Sequence, residues 1–276
     1  MDKRYDIVKK ALKCPICSSP LDVTENKQSA VCIGGRKHCF DFSSAGYLSL
    51  SGGGGDSKAA VAARHSFLWQ GYYSNAREKI CQAVKKYVPS DGVIIDAGCG
   101  EGYYTSALAA LSEMTFGVDL SKHGCAVASK QARRDGIDNV LYATASVFEL
   151  PIKDGAADAV VNIFAPCAEQ EYCRVLCDGG YLIVVGAGKN HLMGLKRVLY
   201  DEVYENTERA DLPVNMTHVE TVTACYTVTV RGREHIDALF SMTPYYWRTS
   251  EQDKHKLSLL EELETQIEFE INVYRK

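Results

Sequence analysis

From Gly92 onward, short apolar runs alternate with amphipathic stretches, and this alternation is the strongest regularity of the chain. Val93 to Ala97, Thr115 to Leu120, Val140 to Thr144, Ala159 to Phe164 and Gly180 to Val185 have the length and apolar content of buried strands. Between them, Tyr103 to Leu111, Lys122 to Asp135, Ala168 to Leu176 and His191 to Tyr200 carry helical patterns. Strands alternating with helices predict a parallel sheet covered on both faces, an α/β fold. The final part changes character. Val219 to Val230 and Ile267 to Tyr274 suit strands added at one edge, with helices over Glu234 to Leu239 and Glu251 to Thr265 between them. No internal repeat is evident.

The first fifty residues read differently: Cys-rich, turn-rich, and with apolar patches too small to form a core. Ser51-Gly-Gly-Gly-Gly-Asp56 then reads as a flexible linker. Two helical patterns follow from Ala59 to Val88, separated near Gly71 and closed by Pro89-Ser-Asp-Gly92. The expected division is therefore 1–50, a small module; 51–91, a linker and helical segment; and 92–276, the large α/β domain.

Composition narrows the setting. A net charge of -4 gives no global basic field, which argues only weakly against a polyanionic partner because a local patch suffices. No apolar run is long enough to span a bilayer, and Met1 to Lys10 is charged where an export signal would be apolar, so no membrane is expected. Most of the eleven cysteines are dispersed through helix- or strand-like segments, as reduced, buried residues are. A reducing cytoplasm fits them better than disulfides.

Val93-Ile-Ile-Asp-Ala-Gly-Cys-Gly-Glu-Gly102 reads as strand, glycine loop and helix start. Gly98, Gly100 and Gly102 would let a ligand approach the main chain and meet amides at a helix N-terminus. That spacing is shared by several nucleotide-binding classes, and the acids around it discriminate. Asp96 precedes the loop, Glu101 lies within it and Asp119 ends the next strand. A pyrophosphate would be disfavoured there; a cationic sulfonium with an amino-acid moiety and a free ribose would not. Asp119 is placed to accept both ribose hydroxyls. The competing readings are strand-terminal caps and a dinucleotide fold, which the loop-to-acid distance also fits.

The pattern D-x-G-C-G-E-G resembles motif I of the class I S-adenosylmethionine (SAM)-dependent methyltransferases, a Rossmann-like fold. In such enzymes Ala145-Ser146 would face the adenine, and Asp158 to Cys167 would be the fourth strand with the exit loop where the methyl acceptor enters. Cys167 itself reads as a buried or loop thiol, since no histidine context activates it.

Near the N-terminus, Cys14-Pro-Ile-Cys17 is a C-x-x-C knuckle, and Cys32 with His38 supplies a second pair, Cys39 competing for the fourth position. Two ligands in a tight turn, a loop, then two more would enclose one tetrahedral Zn²⁺. Four protein ligands leave no open position, so such a zinc is structural. Lys9, Lys10, Lys13, Arg36 and Lys37 lie close by to meet phosphates, or simply form a solvated face.

The combination resembles the RlmA family, which methylates N1 of a guanine in a hairpin loop of bacterial 23S rRNA. The resemblance runs nearly end to end. It includes Cys14-Pro-Ile-Cys17, Cys32, His38-Cys-Phe-Asp41, Gly46-Tyr-Leu-Ser-Leu50, Gly55-Asp56-Ser57, Arg64, Phe67-Leu68, Gly71-Tyr-Tyr73 and the glycine loop. It continues with Ala165-Pro-Cys167, His191-Leu-Met193, Met242-Thr-Pro244 and Trp247, which are more particular than motif I or the knuckle. It implies zinc ligands Cys14, Cys17, Cys32 and His38, in a module that recognises RNA. It implies SAM contacts at Tyr73, Tyr104, Thr105 and His191, and a homodimer whose subunits form an RNA cleft. Guanine N1 must lose a proton to accept a methyl group, so a carboxylate base is expected. Asp56 is the candidate, with a helix N-cap as its competing role. Tyr72, Tyr103 or Phe164 are candidates to stack an unpaired guanine.

Overall fold

A computed structural model describes residues 3–207 and 209–276, leaving Met1, Asp2 and Glu208 outside the described residues. Helix α1 (Arg4–Ala11) opens the chain, followed by strands β1 (Leu21–Val23), β2 (Ser29–Cys32), β3 (Cys39–Asp41) and β4 (Leu48–Ser49). Helices α2 (Lys58–Leu68) and α3 (Ser74–Tyr87) lead to β5 (Val93–Ala97), α4 (Tyr103–Ala109), β6 (Met114–Asp119), α5 (Lys122–Arg134) and β7 (Val140–Thr144). Then come β8 (Ala157–Ile163), α6 (Glu169–Val175), β9 (Leu176–Ala187), α7 (Met193–Leu199), β10 (Thr217–Arg231), α8 (Arg233–Ser241), α9 (Glu251–Ser258) and β11 (Glu262–Arg275).

The large sheet has eight strands in the order β10-β11-β9-β8-β5-β6-β7-β4. Strands β4 to β9 within it pair parallel, while β11 runs antiparallel to both β9 and β10. The parallel strands β6 and β7 are almost wholly buried, as a sheet covered on two faces requires. The two late strands join one edge, as expected. A helix through Thr265 is not found: α9 ends at Ser258, and β11 begins at Glu262. There the period changes to two, with Leu263, Thr265, Ile267, Phe269 and Ile271 turned into the core.

Helix α1 has no counterpart in the sequence reading, because its charges obscure a narrow apolar face of Ile7, Val8 and Ala11. These residues and Leu12 join the core cluster that contains Phe116 and Leu141, so the apolar patches of residues 1–50 extend the main core. Leu12 bridges to Ile152, and β4 pairs with β7 through Leu48 opposite Ala143. The small antiparallel sheet β1-β2-β3 stands beside this junction.

The glycine-rich segment Ser51 to Asp56 lies against the start of α5. Ser121 Oγ donates to the Asp56 carbonyl at 2.8 Å. The cap of α2 is Ser57 rather than Asp56, its Oγ accepting from the Ala60 amide at 3.2 Å.

Because the core is shared, Leu12→Ala should cost about 2–5 kcal/mol and shift a single denaturant transition of the whole chain. A separate early transition for the N-terminal residues would contradict the shared core.

Candidate functional site

Strand β5 pairs with β6 on one side and β8 on the other, so strand order reverses at its end. Ligands of open α/β sheets bind in the crevice that such a reversal opens at the carboxyl ends of the strands. The glycine loop lies there. A Cβ at Gly98 (φ +89°) would sit 2.5 Å from the Ala165 Cβ, and one at Gly102 (φ +85°) would sit 2.8 Å from both Ala128 Cβ and Tyr142 Oη. Only glycine lets the loop close on the chain after β8 and on α5 at once.

The acids are where the sequence reading put them, and Asp96 and Glu101 are buried. Asp119 Oδ2 accepts from the Gly100 amide at 3.0 Å and Oδ1 from the Ser121 amide at 2.7 Å. Asp96 is buried and accepts from Thr105 Oγ1 at 2.6 Å. Desolvation first, with the neighbouring Asp119 charge adding to it, pushes Asp96 up to about 7. Glu101 is likewise raised by burial to about 7, with Arg64 opposing the shift. Its Oε1 is buried with no hydrogen-bond partner among the described residues. A site with three carboxyls, one carrying an unused acceptor, favours a ligand with cationic or donor groups over a phosphate.

A second wall is aromatic. The ring of His191 lies 6.1 Å from Tyr73, 5.2 Å from Phe269 and 6.1 Å from Phe164, which stacks on it at 28°. His191 Nδ1 accepts from the Glu268 amide at 3.2 Å, which leaves the ring hydrogen on Nε2. Burial pushes His191 down to about 3, so the ring is neutral at physiological pH. Tyr104 packs edge-on against Tyr103 at 5.0 Å. Ser146 follows β7, where the Ala145 amide donates to the Asp119 carbonyl, and its Oγ accepts from the Phe148 amide. Asp56 is ion-paired to Arg64 at 2.6 Å, and its carboxylate is partly exposed.

Sequence reasoning missed Arg209, which belongs to no motif yet donates to the Ala165 carbonyl at 2.8 Å. Nothing in local spacing could have connected it to the loop after β8.

The cysteine cluster assembles as a group of four. One ligand atom each from Cys14, Cys17, Cys32 and His38 lies within 4.8 Å of the others. Cys14 Sγ is 3.5 Å and Cys32 Sγ 3.7 Å from His38 Nδ1, and the sulfurs of Cys17 and Cys32 are 3.6 Å apart. A tetrahedron with zinc–sulfur bonds of about 2.3 Å has edges of roughly 3.8 Å, close to these separations. Cys39 is exposed and outside the group, which favours His38 as the fourth member. Hydrogen bonds from Ser19 pull the Cys17 thiol down to about 6, toward the thiolate a metal needs.

A family described as a methyltransferase domain matches residues 95–184. YxjB of Bacillus subtilis (strain 168), provisionally named a 23S rRNA (guanine-N(1)-)-methyltransferase, is 31% identical over 271 residues, spanning 92% of each chain. A 23S rRNA (guanine(748)-N(1))-methyltransferase of Streptomyces fradiae is 30% identical over 68% of this chain and 69% of its own. Among solved structures, a protein of Anaeromyxobacter dehalogenans provisionally described as a type II methyltransferase superposes with a TM-score of 0.52 at 17% identity. It covers 72% of this chain and 95% of its own, and supports the class I SAM methyltransferase fold.

The state of His191 has a measurable consequence. An unfolded histidine titrates near 6.5, whereas the folded one stays neutral to about 3. The unfolded chain binds the extra proton between these values, so stability falls as pH drops through that window, by about 1.4 kcal/mol per pH unit. His191→Gln should therefore lose less stability than the parent between pH 7 and pH 5 in urea titrations of the ligand-free protein. Equal losses would show that His191 is protonated in the fold.

Proposed function

This chain belongs to the 23S rRNA (guanine-N1)-methyltransferase family, and from that premise we propose that it transfers a methyl group from SAM to N1 of a guanine in a hairpin loop of 23S rRNA. The observation that carries the reading is the likeness to YxjB along 92% of the chain, well beyond the matched methyltransferase domain. When bound, SAM supplies a methyl group on a positively charged sulfur.

The residues divide the work as follows. The glycine loop of Gly98, Gly100 and Gly102 lets the main chain lie against the cofactor. Asp119 keeps lone pairs beyond its two amide bonds and takes the ribose hydroxyls. Ser146 and the chain after β7 flank the adenine. Asp96 shapes the loop through Thr105, and Tyr73, Tyr104 and His191 line the methionine side. A neutral His191 adds no positive charge beside the sulfonium, and its Nε2–H is a donor for the carboxylate of the methionine moiety.

The target guanine has to lose its N1 proton as the methyl group is transferred, and we assign that proton to Asp56. The carboxylate is ion-paired to the Arg64 guanidinium, and Asp56 acts once that pair has opened. Positioning of the two reactants supplies much of the remaining acceleration.

Cys14, Cys17, Cys32 and His38 hold a structural zinc, which stiffens a module that meets the rRNA. None of the eleven cysteines is in a disulfide, which supports a reducing, cytoplasmic setting. No helix of the described residues is long and apolar enough to cross a membrane. A homodimer completes the reading, on the strength of the family resemblance.

With labelled SAM and unmethylated 23S rRNA, a primer-extension stop should appear at one guanine of a hairpin loop; methylation of a small metabolite with no stop would overturn the reading. Cys14→Ser should abolish stoichiometric zinc by metal analysis and destabilise the N-terminal residues. Full zinc retention would mean that a different ligand set binds the metal.

A further inference from the structure

The chain after β8 takes an unusual path. Phe164, an aromatic residue, has φ +53°, and the residue is 48% exposed while its ring stacks on His191. A side chain of this size in the left-handed region persists only when its surroundings hold it there. The next residue, Ala165, is the one pressed against Gly98. This short loop therefore touches the glycine loop and presents an aromatic face to solvent at the same time.

One guanidinium holds it. Arg209 Nη2 donates to the Ala165 carbonyl at 2.8 Å, while Nη1 donates to the Val185 carbonyl at 3.2 Å and to Asn162 Oδ1 at 3.4 Å. Asp211 accepts from Nε and Nη2 at 2.8 Å each, and its Oδ2 also accepts from the Cys167 amide at 2.9 Å. The stem of Arg209 passes over Gly186, where a Cβ would come within 2.7 Å of its Cδ. The side chain is only 19% exposed, so this is a built junction rather than a surface ion pair. Its partners come from β8, β9 and the loop itself.

We propose that Arg209 is a positioning residue for the methyl acceptor: with Asp211 it fixes Phe164 to Cys167 against the glycine loop, so that the Phe164 ring is a rigid platform for the target base. The inference rests on the methyltransferase reading above. The planar fork is essential to it, because three of the bonded groups lie on different chain segments and a lysine ammonium cannot reach them in parallel. A loop loosened at this point would still bind SAM but would present the base at variable distances, and small misplacements of reacting atoms slow transfer steeply.

The test compares Arg209→Ala, Arg209→Lys and Asp211→Asn with the parent in three measurements. Amide hydrogen exchange at Phe164 and Cys167 should accelerate in both arginine variants. SAM affinity by calorimetry should be unchanged, while single-turnover methyl transfer at saturating SAM and rRNA should fall on the order of tenfold to a hundredfold for Arg209→Ala. Asp211→Asn should lie between that variant and the parent. Unchanged exchange, an unchanged transfer rate, or SAM affinity lost in step with the rate would each overturn the proposal. If Arg209→Ala does not fold, the other two variants report on the same loop. If the parent fails to methylate 23S rRNA, the acceptor reading falls, and the exchange data alone decide whether Arg209 holds the loop.

Discussion

The carboxylate of Asp119 accepts main-chain hydrogen bonds from Gly100 in the glycine loop and from Ser121 at the cap of α5. It thereby joins the ends of two neighbouring strands and gives the loop its shape. The same charge raises its neighbours: Asp96 and Glu101 are both pushed up by burial first, and Asp119 adds to the shift of each. Asp96 and Glu101 therefore stand close to half-protonated near neutral pH. A cationic, hydroxyl-bearing ligand relieves this arrangement, whereas a phosphate would aggravate it. The electrostatics and the backbone geometry of the site therefore favour the same class of ligand.

How far the sequence disclosed this depends on whether the decisive interactions are local. The strands and helices around the glycine loop are encoded by patterns that lie within ten residues of one another, and β5 and β7 have the predicted ends. The acids flank the loop and were visible for the same reason. By contrast, the face of α1 that packs on β6 and β7 is only three residues wide, and its value appears only when the sheet supplies the other half. The helix predicted through Thr265 fails because Glu262 to Thr265 pair in register with Arg231 to Val228 of β10, and that pairing overrides the local pattern. Arg209 was invisible because its meaning lies in carbonyls far away along the chain.

The cysteine cluster is a case in which three-dimensional placement selected between residues that spacing left open. His38 turns its Nδ1 into the group of sulfurs, and Cys39 in β3 stays exposed. The surrounding turn contributes as well. Ser18 has φ +57°, and its amide donates to the Cys14 carbonyl, closing the knuckle before any metal is considered. The module thus draws on two sources, the hydrogen bonds of its own turn and the apolar residues it lends to the main core.

The pairing of β4 with β7 also orders events in time. Leu48 and Ser49 find their partners at Ala143 and Thr144, so β4 has no sheet to join until synthesis has passed Thr144. At usual elongation rates that interval is on the order of five to twenty seconds. The four clustered side chains, Cys14, Cys17, Cys32 and His38, all lie nearer the N-terminus and are made before it begins. Residues 1–50 are thus complete before the sheet edge they pack on exists, and their docking onto it can only follow the making of β7.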